Sequence, residues 1–302
     1  MKKPLVSIIM NCFNGEKYLN ESLASVLDQD FNNWELIFWD NQSKDGSKKI
    51  FMRYKDRRFK YFYANKFTNL YTARNLAIKR AKGKILSFID VDDLWLPNKL
   101  KKQVEFFENN KKAEIVYSNY FIQRQIFGIK YKRLKFEGLL PSGNILKKLL
   151  KLYTIGWLTV SLRKTLIKNK NNFFNENLDM VADFDLMIRL SSKKKIFCIQ
   201  EPLAIYRYHA NQLTRSNLYN QVDHFLNWAH LAKRKKIIKN YNNYNSIKNK
   251  IRFFEEIQFI KKGNFPLSRF LSIFLSGNIK LFIKLIVFYF FPNFFIKYII
   301  SI

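Results

Sequence analysis

Along the first 120 residues, short apolar runs alternate with segments whose apolar positions recur at helical spacing. Residues 5–10 form the first run. After a turn signal at Asn14 and Gly15, Tyr18, Leu19, Leu23, Val26 and Leu27 draw one face of a helix. Residues 35–39, 59–63, 85–89 and 115–122 repeat the strand pattern. Between these runs the spacing predicts helices ending near Tyr54, over 71–82 with Gly83 as the stop, and from Pro97 to about Glu108. Strands alternating with amphipathic helices predict βαβ units and a mainly parallel sheet covered on both faces. Asn11, Asp40 and Asp90, the polar residues that close successive strands, are then expected on one rim, where such sheets bind ligands.

Beyond Gln123 the pattern loosens through a basic, aromatic stretch to Pro141. Helical spacing returns at 144–152 and 182–190, with strands expected at 196–199 and 203–208. Residues 231–262 read as a basic helical region, and no acidic residue follows Gly263. Ser268, Ser272, Ser276, Lys280 and Lys284 set a polar stripe into an apolar stretch, which Pro292, Asn293 and Lys297 then interrupt. A spanning helix needs about 20 predominantly apolar residues, so an interfacial helix is the expectation. The chain divides on this reading into an α/β unit, 1–220, and a helical, basic, amphipathic region, 221–302, that associates with a membrane.

Composition narrows the classes. With 48% apolar and 17% aromatic residues in 302, the chain is not a disordered polyelectrolyte. The formal charge is +31, and residues 1–120 carry only 22 basic against 14 acidic residues, so the excess lies in the later part. Such a chain is drawn to polyanions, either anionic lipid or nucleic acid, and composition does not choose between them. No zinc-finger spacing or aromatic nucleic-acid-binding strand is present, so nucleic acid is not expected as a partner; a basic nucleic-acid-binding or non-catalytic module stands as the alternative class. Two cysteines, Cys12 and Cys198, build no disulfide framework, and the run at 5–10 is shorter than a signal-peptide core of about 7–15 residues. The expected location is cytoplasmic, peripheral on the inner face of the cell membrane.

The strongest chemical signal is a buried-type strand running into Asp90-Val91-Asp92-Asp93. Like charges so close are costly unless a cation neutralises them, and hard oxygen ligands suit Mg²⁺ or Mn²⁺. The alternative is a solvated turn in which Asp93 caps the helix near Pro97.

Four blocks resemble, in order and spacing, those of the family 2 glycosyltransferases with the GT-A fold. They are Val6-Ser7-Ile8-Ile9-Met10-Asn11-Cys12-Phe13-Asn14, the run from Glu35 through Asp40-Asn41 to Ser47, Ala73-Arg74-Asn75, and Asp90-Val91-Asp92-Asp93-Leu94-Trp95. Ala182-Asp183-Phe184-Asp185 and Tyr206-Arg207-Tyr208-His209 resemble two further blocks. The resemblance implies an inverting transferase that takes a sugar from a nucleotide-sugar donor, expected to be a UDP-sugar, to a glycan or lipid-linked acceptor in surface glycan synthesis. Asn11 and Phe13 would flank the base, Asp40 and Asn41 would meet uracil and ribose, and Arg74 would face the acidic rim or the diphosphate. Asp90 and Asp92 with Asp93 would supply the DxD-like element, with Asp92, Asp93 and His209 as metal ligands. Asp183 matches the general base, although a helix N-terminus favours its charged form. Asn41 stands where a second Asp is common, which adds a donor, and Ala182 replaces the Glu of a Glu-Asp pair. The oligomeric state is not legible.

Overall fold

The computed structural model describes residues 3–167, 173–210, 212, 218–234 and 245–261, with 271, 275, 283, 285 and 286. The first half follows the alternation: β1 (Val6–Cys12), α1 (Glu16–Leu27), β2 (Trp34–Asp40), α2 (Ser47–Arg53), β3 (Phe59–Tyr63), α3 (Leu70–Arg80) and β4 (Ile85–Phe88). β1 pairs in parallel with β2 and β4, and β2 with β3. Successive residues of β1 face opposite sides, so Ile8 and Met10 enter the apolar layer under α1 and α4 (Lys99–Asn109) while Ile9 enters the layer under α3 and α6 (Ala182–Ser191). β1, β2 and β4 are covered on both faces, which is why they read as nearly continuous apolar runs.

Gly83 ends α3 because the chain crosses β1 there at contact distance. A Cβ at Gly83 would lie 2.5 Å from the Ser7 nitrogen. The Ser7 hydroxyl accepts from Gly83 N–H and donates to buried Glu35, so polar groups inside the layer are matched.

The second half is mixed. Among the described residues the strand order is β3-β2-β1-β4-β8-β6-β9-β5, with β7 paired to β6. Here β5 is Leu94–Trp95, α4 Lys99–Asn109, β6 Ile115–Ile126, β7 Ile129–Leu134, α5 Leu146–Lys151, β8 Ser161–Arg163 and β9 Phe197–Tyr208. Several expectations are corrected. The loosened stretch after Gln123 is a β6–β7 hairpin; α4 starts after Asn98 rather than at Pro97; the two strands at 196–199 and 203–208 are one strand, with irregular register against β6. β5 and β8, of two and three residues, are too short to carry a period.

Two further helices, α7 (Leu218–Arg234) and α8 (Asn245–Lys261), pack on α6. The expected boundary at residue 220 falls inside α7, and Phe225, Trp228, Phe254 and Ile257 belong to the same apolar cluster as Phe184 and Ile188. Trp228 donates from Nε1 to buried Asp185, 3.1 Å away, whose other oxygen accepts from Arg189. The proposed interfacial helix lies outside the described residues, apart from single positions of which Leu285 is buried in the cluster. Among the described residues no helix is long and apolar enough to cross a membrane.

Candidate active site

β1 leads to β2 and β3 on one side, and the chain then returns to place β4 on the other side of β1. A crevice therefore opens at the carboxyl ends of β1 and β4, and the register sets Cys12 beside Asp40. The loops leaving β1 and β2 are laced together: Asn14 N–H donates to Ser43 Oγ, Gly15 N–H to Ser47 Oγ and Lys44 N–H to Asn14 Oδ1. Asn14 and Gln42 hold left-handed φ values of 53° and 69°, which tighten both turns.

This rim presents some of the expected donor residues and encloses others. Phe13 is 49% exposed, and its ring meets that of Phe67, 4.8 Å away. Phe67 gave no signal in the sequence beyond being aromatic in a loop. Asn11 is buried with neither amide atom hydrogen-bonded. Asp40 is fully buried and accepts from Ser43 N–H and from the Tyr61 hydroxyl at 2.6 Å; burial, then the second bond, pushes the Tyr61 phenol far up. Asn41 donates to the Thr68 carbonyl and accepts from its hydroxyl. The polar atoms of Asp40 and Asn41 thus shape the rim in this structure.

The three clustered carboxylates separate into three environments. Asp90 receives Arg74 Nη2 at 2.5 Å. Asp92 stays partly exposed, with its Oδ2 3.0 Å from His209 Nε2. Asp93 is buried and accepts from Arg207 N–H at 3.1 Å; burial, then the charges of Asp92 and Asp90, push its carboxyl well above the usual range. Asp93 does not cap α4, since Asn98 occupies that position. Arg207 locks the acidic loop to α1, donating to the Asp92 carbonyl, to Glu21 and to the Tyr18 carbonyl.

Whether the site suits a divalent ion turns on its donor set. Among the described residues no three His, Cys, Asp or Glu side chains converge as a ready-made cage. Asp92 and His209 do face each other across one hydrogen-bond length, a carboxylate oxygen and an imidazole nitrogen that suit Mn²⁺ or Mg²⁺ when the remaining positions go to phosphate and water. Two protein ligands therefore fit such an ion; Asp93, turned to Arg207, is directed elsewhere.

Helix α3 carries the other half of the site. Asn69 caps it by accepting from Thr72 N–H, and Asn75 fixes it to the 174–176 loop by donating to the Phe174 carbonyl and to Glu176. Tyr71 and Arg74, one turn apart on one buried face, point at two different carboxylates. Arg74 holds Asp90. The Tyr71 hydroxyl donates to Asp183 Oδ1 at 3.1 Å, and that same oxygen accepts from Phe184 N–H at 2.8 Å. Both bonds fall on Oδ1, so Oδ2 is the oxygen without a bond to either group.

Burial pushes the Asp183 carboxyl up; Arg74, the Phe184 N–H and the Tyr71 hydroxyl pull it back, and the Asp90 charge adds to the rise. The helix N-terminus was expected to hold this group in its charged form. The group is instead shifted upward, with burial among Tyr71, Tyr153 and Phe184 as the largest cause. In the sequence Tyr71 was legible only as the first residue of the helix expected over 71–82.

The overall architecture is that of a GT-A glycosyltransferase. TarS 1-349 of S. aureus, solved in complex with UDP-GlcNAc, superposes with a TM-score of 0.59 at 19% identity, over 84% of this chain and 72% of that one. The mannosyltransferase PcManGT of Pyrobaculum calidifontis, in complex with GDP-Man and Mn²⁺, gives 0.60 at 12% identity over 97% and 89%. At these identities the likeness is one of fold. The chain belongs to glycosyl transferase family 2, whose family model matches residues 7–184. It is 32% identical over 213 residues to the Escherichia coli UDP-Glc:alpha-D-GlcNAc-diphosphoundecaprenol beta-1,3-glucosyltransferase WfgD, covering 70% of this chain and 80% of WfgD. It spans only 33% and 42% of the length of two other curated glycosyltransferase relatives.

Proposed function

We propose that this glycosyltransferase moves a sugar from a UDP-sugar to a hydroxyl of a lipid-linked glycan in surface glycan synthesis, with inversion at the anomeric carbon. The observation that carries the reading is the Asp183 carboxylate, oriented through Oδ1 and leaving Oδ2 to take a proton. Burial brings its basicity toward that of a working general base. WfgD, whose name specifies a UDP-Glc donor and a diphosphoundecaprenol acceptor, supports the substrate classes.

In the proposed step an acceptor oxygen forms a bond to the anomeric carbon and its proton passes to Asp183 Oδ2. The bond from that carbon to the diphosphate breaks, and its electron pair leaves with the nucleoside diphosphate. Phe13 and Phe67 offer aromatic faces to the base, which the backbone around Asn11 also flanks; Asp40 and Asn41 shape the loop that receives uracil and ribose. Arg74 holds Asp90 in place beside the donor. Asp92 and His209 would hold Mn²⁺ or Mg²⁺, which when bound supplies Lewis-acid neutralisation of the diphosphate. Residues 1–220 carry these groups, α7 and α8 brace α6, and 221–302 are assigned to the membrane side. The setting is the inner face of the cell membrane.

The test is a panel of nucleotide sugars with and without Mn²⁺, read as nucleoside diphosphate release and as the anomeric configuration of the product. Donor-specific release that needs Asp183, with an inverted product, is the expected result. A retained configuration overturns the single displacement.

A further inference from the structure

The β6–β7 hairpin carries a feature that catalysis does not use. Ile126 pairs with Ile129 across the two-residue turn Phe127-Gly128, and both turn residues hold left-handed φ values of 50° and 83°. That turn suits a hairpin, but Asn or Gly is its ordinary occupant. Here a phenylalanine takes the strained position with its side chain 100% exposed. All six residues of β7 are exposed as well, and strand alternation sets Ile129 and Tyr131 on one face against Lys130 and Lys132 on the other. From Arg124 to Lys135 there are five basic residues and no acidic one. Burial, then the charges of Arg133 and Arg124, holds the Lys135 ammonium below its usual range.

We propose that this hairpin is a membrane-contacting element of the enzyme, beside the C-terminal region, with Phe127 and Ile129 entering the interface of an anionic bilayer and Lys132 and Arg133 resting at its headgroups. Charge complementarity selects the partner's sign, and the layering selects its kind. At about 3.4 Å per residue the tip runs roughly 10 Å ahead of Lys132, the depth to which interfacial elements bury their apolar side. A soluble anion would engage the basic residues and leave an apolar tip with no role. The hairpin also stands beside the site: β6 runs parallel to β9, which ends at Tyr208, and Lys130 reaches Glu21, the partner of Arg207. Seating the tip would turn the crevice toward lipid-linked substrate. The inference extends the proposed membrane setting, and its readout is independent of catalysis.

The full chain is sedimented with vesicles of phosphatidylcholine alone and of phosphatidylcholine mixed with phosphatidylglycerol, at low and high salt. Lys132→Ser/Arg133→Ser should lower partitioning on the anionic vesicles about 25-fold at low salt, since each basic side chain at such a surface is worth about fivefold. The deficit should shrink at high salt. Phe127→Ser/Ile129→Ser should lower it at least about tenfold at either salt, because apolar burial is not screened. Both variants touch exposed residues, so melting temperature and donor hydrolysis without vesicles should match wild type, and a failed donor assay with intact vesicle binding would fault the catalytic reading alone. Wild-type partitioning by both variants overturns the proposal, as does absence of wild-type binding. It is equally overturned if the basic variant loses only binding to poly(U), or if the apolar variant loses only self-association with vesicle binding intact.

Discussion

Replacing Tyr71 with Phe removes one hydroxyl and keeps the ring that packs on Phe174 and lies 5.3 Å from the Arg74 guanidinium. Burial and the Asp183 charge hold the Tyr71 phenol far above its usual range, so it donates to Asp183 throughout the working pH. A hydrogen bond to a charged group is worth about 1.5–3 kcal/mol. The 3.1 Å length, on an oxygen that also accepts from Phe184 N–H, places this bond at the lower end. About 1.4 kcal/mol corresponds to one pKa unit, so loss of the bond should raise the Asp183 pKa by about one. The charged base is the active form, and the acid limb of kcat should therefore move up by about one pH unit, with donor KM unchanged. Stability follows the same sign. Asp183 is already raised in the folded chain, so the added penalty is absent below its unfolded pKa of about 3.9 and complete only above the folded value. Melting curves of Tyr71→Phe and wild type should coincide near pH 4 and separate at pH 8. An acid limb that stays put while the melting temperature falls equally at both pH values would refute the argument and reduce Tyr71 to packing.

Three further outcomes are expected. Asp183→Asn should reduce kcat by roughly 10²–10⁴-fold with little change in donor affinity, as single-turnover kinetics and donor titration would report. Asp92→Asn should abolish the response of transfer to Mn²⁺ while the metal-free melting temperature stays within a few degrees, because the side chain is partly exposed and the amide keeps its shape beside His209; near-normal metal-stimulated turnover would remove Asp92 from the proposed ion site. Trp228→Ala should cost about 3–5 kcal/mol by chemical denaturation, since it empties a fully buried site between Phe184 and Phe225 and leaves Asp185 without one of its donors.

Strands β1, β2 and β4 were legible because both faces are covered, and residues such as Ile8, Ile9, Leu36 and Ile37 needed no polar alternation. The hairpin was not, since β7 buries nothing and its sequence has no inward face to announce a strand. Of the acidic motif, spacing revealed the cluster but not its division: Arg74 and Arg207 come to it from residues 16 and 114 positions away along the chain. Tyr71 and Phe67 stayed hidden for the same reason. An aromatic on a buried helix face or in a rim loop looks the same from sequence whether or not a carboxylate or a second ring waits across the fold.

The pairing of Asp185 with Trp228 bears on how the enzyme is born. The crevice is built from strands complete by Tyr208, whereas the helix that carries Asp183 is roofed by residues as late as Ile257. Synthesis proceeds at about 5–20 residues per second, so the roof emerges several seconds after α6. A nascent chain thus acquires its donor side before its base is seated in a dry environment. Chains arrested on the ribosome before α7 should protect β1–β4 from protease while α6 remains cleavable, and nucleotide-sugar turnover should begin only once the last described helices have closed over it.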